Sequence, residues 1–412
     1  MSEGRNRRVR RRRVFYIPGY DPVHPRRYRE VYRREAQKQA AISGYTISQS
    51  AKRDGGLYGW HVEAEIDGDT VTTDIEVLIW SDIVKDSMDR GIAATYGQLF
   101  RTAWAYIGSG ALRRLMHLPK GPIVAALYPI VFLLGQALLA GIAATSVAFL
   151  LYLGGAPLVG WVAWPLAGTA WLAVGWYVLD RFRKADGRFL AYYLMHDYGY
   201  SAQHNGANPP ELERRLSEFR GTIAEALQSE ADEVLVVGHS SGAHLAVSIL
   251  ADLIRRGEVP ENGPELGLLS LGQVVPMVSF LPKADRLRAD LHDLSTREEL
   301  AWVDVTAPAD GCTFALCDPV AVSSVAPAEG KIWPVVFSAS FSQTMAPERW
   351  EALKRKFFQL HFQYLCAFER PKDYDYFQIT AGPVTLRDRY RDRPSSRSRI
   401  ERPVNKFTSR AA

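Results

Sequence analysis

Ser240 stands in the stretch Gly238-His239-Ser240-Ser241-Gly242, with the apolar run Val234 to Val237 ahead of it and Leu245, Ile249 and Leu253 at helical spacing behind it. A hydroxyl in that setting can serve as a nucleophile. The G-x-S-x-G spacing has a steric reason: where a strand folds sharply into a helix, side chains two residues before and after the corner serine would collide through their Cβ atoms. The serine then sits at the amino end of a helix, where free backbone N–H groups and the helix dipole favour a developing oxyanion. The competing reading is a Gly-Ser turn that closes an ordinary βα unit.

A serine hydroxyl attacks poorly unless a base takes its proton, and the base needs a carboxylate to orient it. Of the nine histidines, His361 is the one that follows the last strand able to carry an acid. His292 precedes that strand, while His239 and His244 adjoin the corner too closely to swing back and are expected to line or pack it. The acid should leave the next-to-last strand. In "WVDVTAPADGCTF" this favours Asp310, with Asp304 inside the strand and Asp318 further on as alternatives. His361 lies in "KRKFFQLHFQYL", which also fits an amphipathic helix with the histidine on its polar side. Two oxyanion donors are expected: the N–H of Ser241, and that of Tyr20 in "YIPGYDP", where Gly19 lets the backbone come close. A plain Pro-Gly turn is the other reading of that segment.

A chain of 412 residues is long enough to bury a large core in two or three structural units. The net charge of +5 arises at the two ends, in an amino-terminal arginine cluster and a basic carboxy-terminal tail. No nucleic-acid-binding motif accompanies those arginines, so no specific nucleic-acid partner is expected. The three cysteines are too few for a disulfide framework, and Cys312 and Cys317 lack a second pair for zinc. They are expected to be reduced, with no metal and no cofactor. The apolar stretch after the first arginines ends at Pro18-Gly19, too short for the core of a cleaved signal peptide.

From Gly121 to Leu179 there is no Asp, Glu, Lys, Arg or His. About 20 apolar residues in helical form cross a bilayer's hydrocarbon core, so the run accommodates two spans, near Ile123 to Leu151 and Leu158 to Leu179. "GGAP" at 154–157 is the expected turn between them. "LRRLMHLPK" before the run and "DRFRKADGR" after it are basic, and the turn is not. Both termini and the catalytic part are therefore expected on the cytoplasmic side of the cell (inner) membrane. Two buried helices of a soluble core would leave apolar side chains on every face with too little protein to cover them.

Elsewhere the pattern reads as a strand near 13–19, a helix near 25–41, two or three antiparallel strands before residue 81, and then strands alternating with helices from residue 209 onward. Such alternation argues for a mostly parallel sheet with helices on both faces, an α/β fold. Four regions are expected: 1–120 and 181–385 forming one catalytic unit, 121–180 forming an inserted transmembrane helical hairpin, and 386–412 a basic disordered tail.

Taken together, "VVGHSSGAH", "YIPGYDP" and the order Ser240, Asp310, His361 resemble the α/β-hydrolase superfamily, in particular its lipase-like and esterase-like serine hydrolases. The resemblance covers about 13–19 and 189–378 and leaves out the apolar insertion. It implies acyl transfer to water, with Ser240 attacking an ester carbonyl, His361 shuttling the proton, Asp310 orienting the imidazole, and the amides of Ser241 and Tyr20 binding the oxyanion. A bilayer anchor would raise the effective concentration of lipid or other amphiphilic acyl esters near the site. Thioesters are also open. The rival class is an inactive, membrane-anchored scaffold of the same architecture, and no oligomeric state follows from the sequence.

Overall fold

The computed structural model describes residues 8–52, 56–88 and 91–411. The first arginines and part of the "DGG" punctuation near residue 55 therefore lie outside the described residues. Eight strands form one sheet in the order β2-β3-β4-β1-β5-β6-β7-β8. These are β1 (Arg11–Ile17), β2 (Thr46–Ala51), β3 (Gly59–Ile66), β4 (Asp69–Val77), β5 (Glu233–His239), β6 (Glu265–Leu271), β7 (Leu300–Thr306) and β8 (Val335–Ser338). β2, β3 and β4 pair antiparallel, whereas every pairing from β4 through β1 to β8 is parallel. The architecture is thus an α/β fold with a mixed, mostly parallel sheet, compatible with the α/β-hydrolase resemblance.

Central strands of such a sheet are apolar on both faces because helices cover both. In β5, Val234 and Val236 enter one core with Leu245, Ile249 and Leu253 of the helix Ser241–Arg255 and with Leu216, Phe219 and Ile223 of the helix Pro210–Leu227. Leu235 and Val237 point the other way, toward Tyr28 and Tyr32 of the helix Arg26–Ser43 and toward Phe377 and Leu386. The two-residue period of the strand divides one apolar run between two cores.

Gly121–Lys184 is the one segment among the described residues long and apolar enough to cross a membrane, and only 28% of its most apolar window is buried within the protein. It consists of the helices Gly121–Val159 and Ala163–Lys184 with one tight turn, Gly160–Val162, between them. The second helix runs back along the first: the Trp171 indole donates to Thr145 Oγ1 at 3.1 Å, and the Tyr152 and Trp164 rings lie 4.5 Å apart. "GGAP" is not the turn. Helix continues through it, and the reversal falls at Gly160, whose φ of 56° and ψ of −128° suit a residue without Cβ, after its N–H has closed the last turn on Ala156. Below the reversal, Leu133 packs with Leu99, Tyr192 and Met195, joining the apolar pair to the helices Ile92–Gly108 and Ala191–Ala202.

The tail after Leu386 is ordered, against the expectation of disorder. Leu386, Tyr390, Val404 and Asn405 are buried, Ile400 bridges to Cys317, and Ser396 N donates to Val336 O at 2.8 Å. Its arginines and serines misled the compositional reading because the apolar residues that anchor it are widely spaced. An ion pair in the sheet holds its beginning. Arg12, fully buried on β1, meets Glu233 of β5 at 2.5 Å and donates to the carbonyls of Gly382 and Val384, while Glu233 also accepts the N–H of Leu386 at 2.6 Å. Removing one partner of such a pair leaves an uncompensated buried charge. Arg12→Ala is accordingly expected to lower stability by about 3–5 kcal/mol, read as a shift in the denaturant midpoint of the detergent-solubilised protein; a shift corresponding to under about 1 kcal/mol would show that the pair holds nothing.

Candidate active site

β5 ends at His239, the helix begins at Ser241, and Ser240 between them has φ 57° and ψ −123°. A non-glycine residue in this sparsely populated region is held there by its surroundings. Ser240 N donates to Leu271 O at 2.9 Å and Ser240 O accepts from Ala243 N at 3.1 Å. The corner leaves no space for neighbouring side chains. A Cβ on Gly242 would lie 2.1 Å from Ile17 O, one on Gly238 would lie 2.7 Å from the Ala243 Cα, and one on Gly19 would lie 2.9 Å from Ser240 Cβ. The end of β1 therefore presses directly on the corner, and glycine at these positions is a packing requirement.

Asp310 follows β7 in a turn closed by its own N–H to Ala307 O at 2.9 Å. One carboxylate oxygen accepts the Cys312 N–H at 2.9 Å; the other meets His361 Nδ1 at 2.8 Å and accepts the Tyr364 hydroxyl at 3.0 Å. Since an ionised carboxylate only accepts, the Nδ1–H tautomer of His361 is fixed and Nε2 keeps its lone pair. Nε2 is buried and has no hydrogen-bond partner. His361 sits at the end of a five-residue helix, Phe357–His361, turned inward at 7% exposure, so the amphipathic-helix reading of this segment does not describe it.

His361, Ser240, Ser241, Gly19 and Tyr20 all line one cavity of about 80 Å³. No hydrogen bond joins Ser240 Oγ to His361 in this resting arrangement. The Ser241 amide occupies the first position of its helix, where no intrahelical carbonyl is available to it. The Tyr20 turn is held from two sides: Trp80 Nε1 donates to Pro18 O at 2.9 Å and the Tyr193 hydroxyl to Tyr20 O at 2.5 Å.

The alternative acids are engaged elsewhere. Asp304 lies in the core and accepts the Ser270 hydroxyl at 2.5 Å, with burial pushing its carboxyl up to about 8. Asp318 caps the amides of Val320 and Ala321 and pairs with Lys331 at 2.6 Å. His292 bonds to Val325 O. His239 packs behind His361, since its Nε2 donates to the backbone oxygen of His361 at 2.8 Å and fastens the loop that carries it. Burial, followed by the charge on His361, pushes His239 down to about 3, so it stays neutral and keeps that donor.

Asp310, Cys312 and His361 also bring metal-ligand atoms within 4.8 Å of one another. Asp310 already accepts three hydrogen bonds there, and burial raises the Cys312 thiol far above its ordinary value, so the group is better suited to an acid–base pair than to a thiolate site.

Three participants were missed from sequence. Gly272, at φ 54°, leaves room for the pair: a Cβ on it would lie 2.8 Å from the Tyr364 ring and 3.3 Å from His361 Cε1. Tyr364 steadies Asp310, and Asp197 lines the cavity with its carboxyl raised by burial to about 7 and drawn down by His361. Gly272 stands after an apolar strand just as Gly238 ends one, and that was the available signal.

For His361, burial depresses the imidazolium while the charge and hydrogen bond of Asp310 favour it; the net direction is upward from the ordinary histidine value. Ring NMR titration is therefore expected to find His361 protonating above about 6.5 and His239 and His244 remaining neutral to well below 5. Asp310→Asn should move the His361 midpoint down; an unmoved midpoint would mean that Asp310 does not govern the ring. Comparison of the chain with protein-family models, with curated proteins and with solved structures gives no match.

Proposed function

We propose that this chain is a membrane-anchored serine hydrolase that cleaves acyl esters, among them lipids, through an acyl-enzyme. The observation that carries the reading is the imidazole held by Asp310 whose free Nε2 shares a cavity with the strained Ser240. In the first step His361 Nε2 takes the Ser240 proton as Oγ bonds to the ester carbonyl carbon, and the carbonyl electrons move onto oxygen. The Ser241 and Tyr20 amides receive that oxyanion. Collapse expels the alcohol, which leaves with the proton from His361; water then repeats the sequence on the acyl-enzyme and frees Ser240. Catalytic hydrogen bonds that are long or absent without substrate often tighten when it binds, and the Ser240–His361 contact is expected to form at this step.

Membrane attachment has separate support. Apolar side chains cover the outside of Gly121–Lys184, with Val131, Leu138, Leu150 and Leu172 each at least 65% exposed. The helix Ile92–Gly108 continues that surface with Phe100, Trp104 and Ile107, spaced i, i+4 and i+7 on one exposed face. Arg113, Arg114 and Lys120 precede the apolar pair and Arg181, Arg183 and Lys184 close it, a charge pattern that under the positive-inside rule supports a two-pass reading with both ends and the catalytic part cytoplasmic. Pro122, at the base of the first apolar helix, lines the Ser240 cavity. A substrate resident in the bilayer would thus meet the site where the anchor begins.

A fluorophosphonate serine probe tests the chemistry on full-length protein in detergent. Wild type is expected to label and Ser240→Ala to be silent, while Asp310→Asn should hydrolyse a short-chain ester about ten-thousand-fold more slowly. Wild-type protein that stays unlabelled while control hydrolases react would favour the scaffold reading, which the missing Ser240–His361 hydrogen bond otherwise supports.

A further inference from the structure

Resting on the hydrolase reading, we infer that Asp197 is the specificity residue of this pocket: its carboxyl group binds a hydrogen-bond-donating group, a hydroxyl or an ammonium, carried next to the scissile ester, and disfavours esters bearing negative charge. Asp197 belongs to the helix Ala191–Ala202, the first long element after the apolar pair. It lines the Ser240 cavity and also a smaller chamber of about 20 Å³ that extends behind the Ser241 turn.

Several acids more fully withdrawn from solvent than the part-buried Asp197 face cations, while Asp304 and Asp375 are met by hydroxyl or backbone N–H donors. Glu233 meets Arg12, Glu76 meets Arg13 and Lys52, Asp290 meets Arg255, and Asp318 meets Lys331. Asp197 has no side-chain hydrogen bond or ion pair with any described residue, and the walls beside it include Leu194, Met277 and Val278. A carboxyl group kept unpaired in such surroundings destabilises the fold unless something pairs with it. His361 is the charged group that lowers its carboxyl, and that ring is already committed to Asp310 through Nδ1.

A second unpaired group faces the same space. His244, one helical turn beyond Ser240, lines the small chamber; its Nδ1 is buried without a partner, and burial pushes the ring down to about 4, so it is neutral. The chamber exceeds the roughly 10–15 Å³ that one water-sized group needs. It therefore offers an acceptor on Asp197 and a neutral imidazole nitrogen on His244 to a small polar group, beside Ser241, which lines both spaces. Plain alkyl groups would leave both unsatisfied, which is how a site built for a hydroxyl rejects an analogue without one. Above pH 7, where the Asp197 carboxyl is mostly ionised, a carboxylate on the substrate would meet it as a like charge.

The test uses full-length protein in detergent and four butyrate esters differing in the alcohol: n-propyl, glyceryl, 2-(dimethylamino)ethyl, which is protonated and keeps an N–H donor, and carboxymethyl, followed by acid release. Wild type is expected to hydrolyse the glyceryl or the dimethylaminoethyl ester with kcat/KM at least about tenfold above the propyl ester, and the carboxymethyl ester most slowly. Which of the first two leads identifies the donor as hydroxyl or ammonium. In Asp197→Leu the ratio of donor-bearing to propyl ester should fall toward one; Asp197→Asn should retain a hydroxyl preference and lose an ammonium preference. Each ratio is taken on one preparation, so a reduced folded fraction cancels. Equal rates for all four esters in wild type, or ratios unchanged in Asp197→Leu, would overturn the assignment. Absence of fluorophosphonate labelling in wild type is a different outcome and removes the hydrolase reading itself.

Discussion

The contact on which this molecule depends is the approach of the β1 carboxy end to the turn between β5 and the following helix. Ile17 O occupies the place where a Cβ of Gly242 would be, and Gly19 lies against the Ser240 side chain. The closeness is possible because three residues around the corner have no side chain, and it forces Ser240 into a conformation that costs about 1–3 kcal/mol. The parallel pairing of β1 with β5, and the cores on both faces of those strands, supply the energy that offsets this strain. Without that contact the serine would relax into an ordinary helix cap, and the cavity between the Tyr20 turn and the elbow would close or lose its shape.

The electrostatics around the corner follow from which histidine meets a carboxylate. His239 and His361 have rings 4.8 Å apart and both are buried. His361 alone faces Asp310, so its protonated form is favoured; His239 faces a backbone oxygen and is held neutral. Two adjacent cations would repel in this low-dielectric setting. Their division of labour gives one ring that can gain and lose a proton and one that fixes where the first ring sits.

Much of this was legible from local signals. The glycine spacing, the apolar run before Ser240 and the helical period after it placed the elbow, and chain order brought forward Asp310 and His361, which the fold joins at 2.8 Å. Strand alternation gave the α/β class, though not the mixed order with β1 between β4 and β5. What local pattern cannot express is a contact with a distant segment. Gly272 needs no Cβ because Tyr364 and His361 arrive from far along the chain, and the tail is ordered because scattered apolar residues find pockets on the sheet domain. "GGAP" misplaced the turn because glycine and proline mark a break only when the helix has no packing to carry it through; here the start of the returning helix packs on this stretch, with Ala163 over Gly155 and Trp164 against Tyr152.

The position of the apolar insertion follows from the same geometry. Its first residue, Gly121, presses on Gly311, where an added Cβ would lie 2.9 Å from the carbonyl oxygen, and Gly311 is next to Asp310. Its far end leads within a few residues into the helix that carries Asp197 and Tyr198 into the cavity. Both roots of the insertion are thus built into the walls around Ser240. A displacement of the apolar pair would be felt at the turn of Asp310 and at the helix of Asp197 before it reached the sheet. The corner itself is set by the pairing of β1 with β5 and by the glycines packed against it, so such a displacement would bear on the shape of the pocket before it disturbed the strained serine.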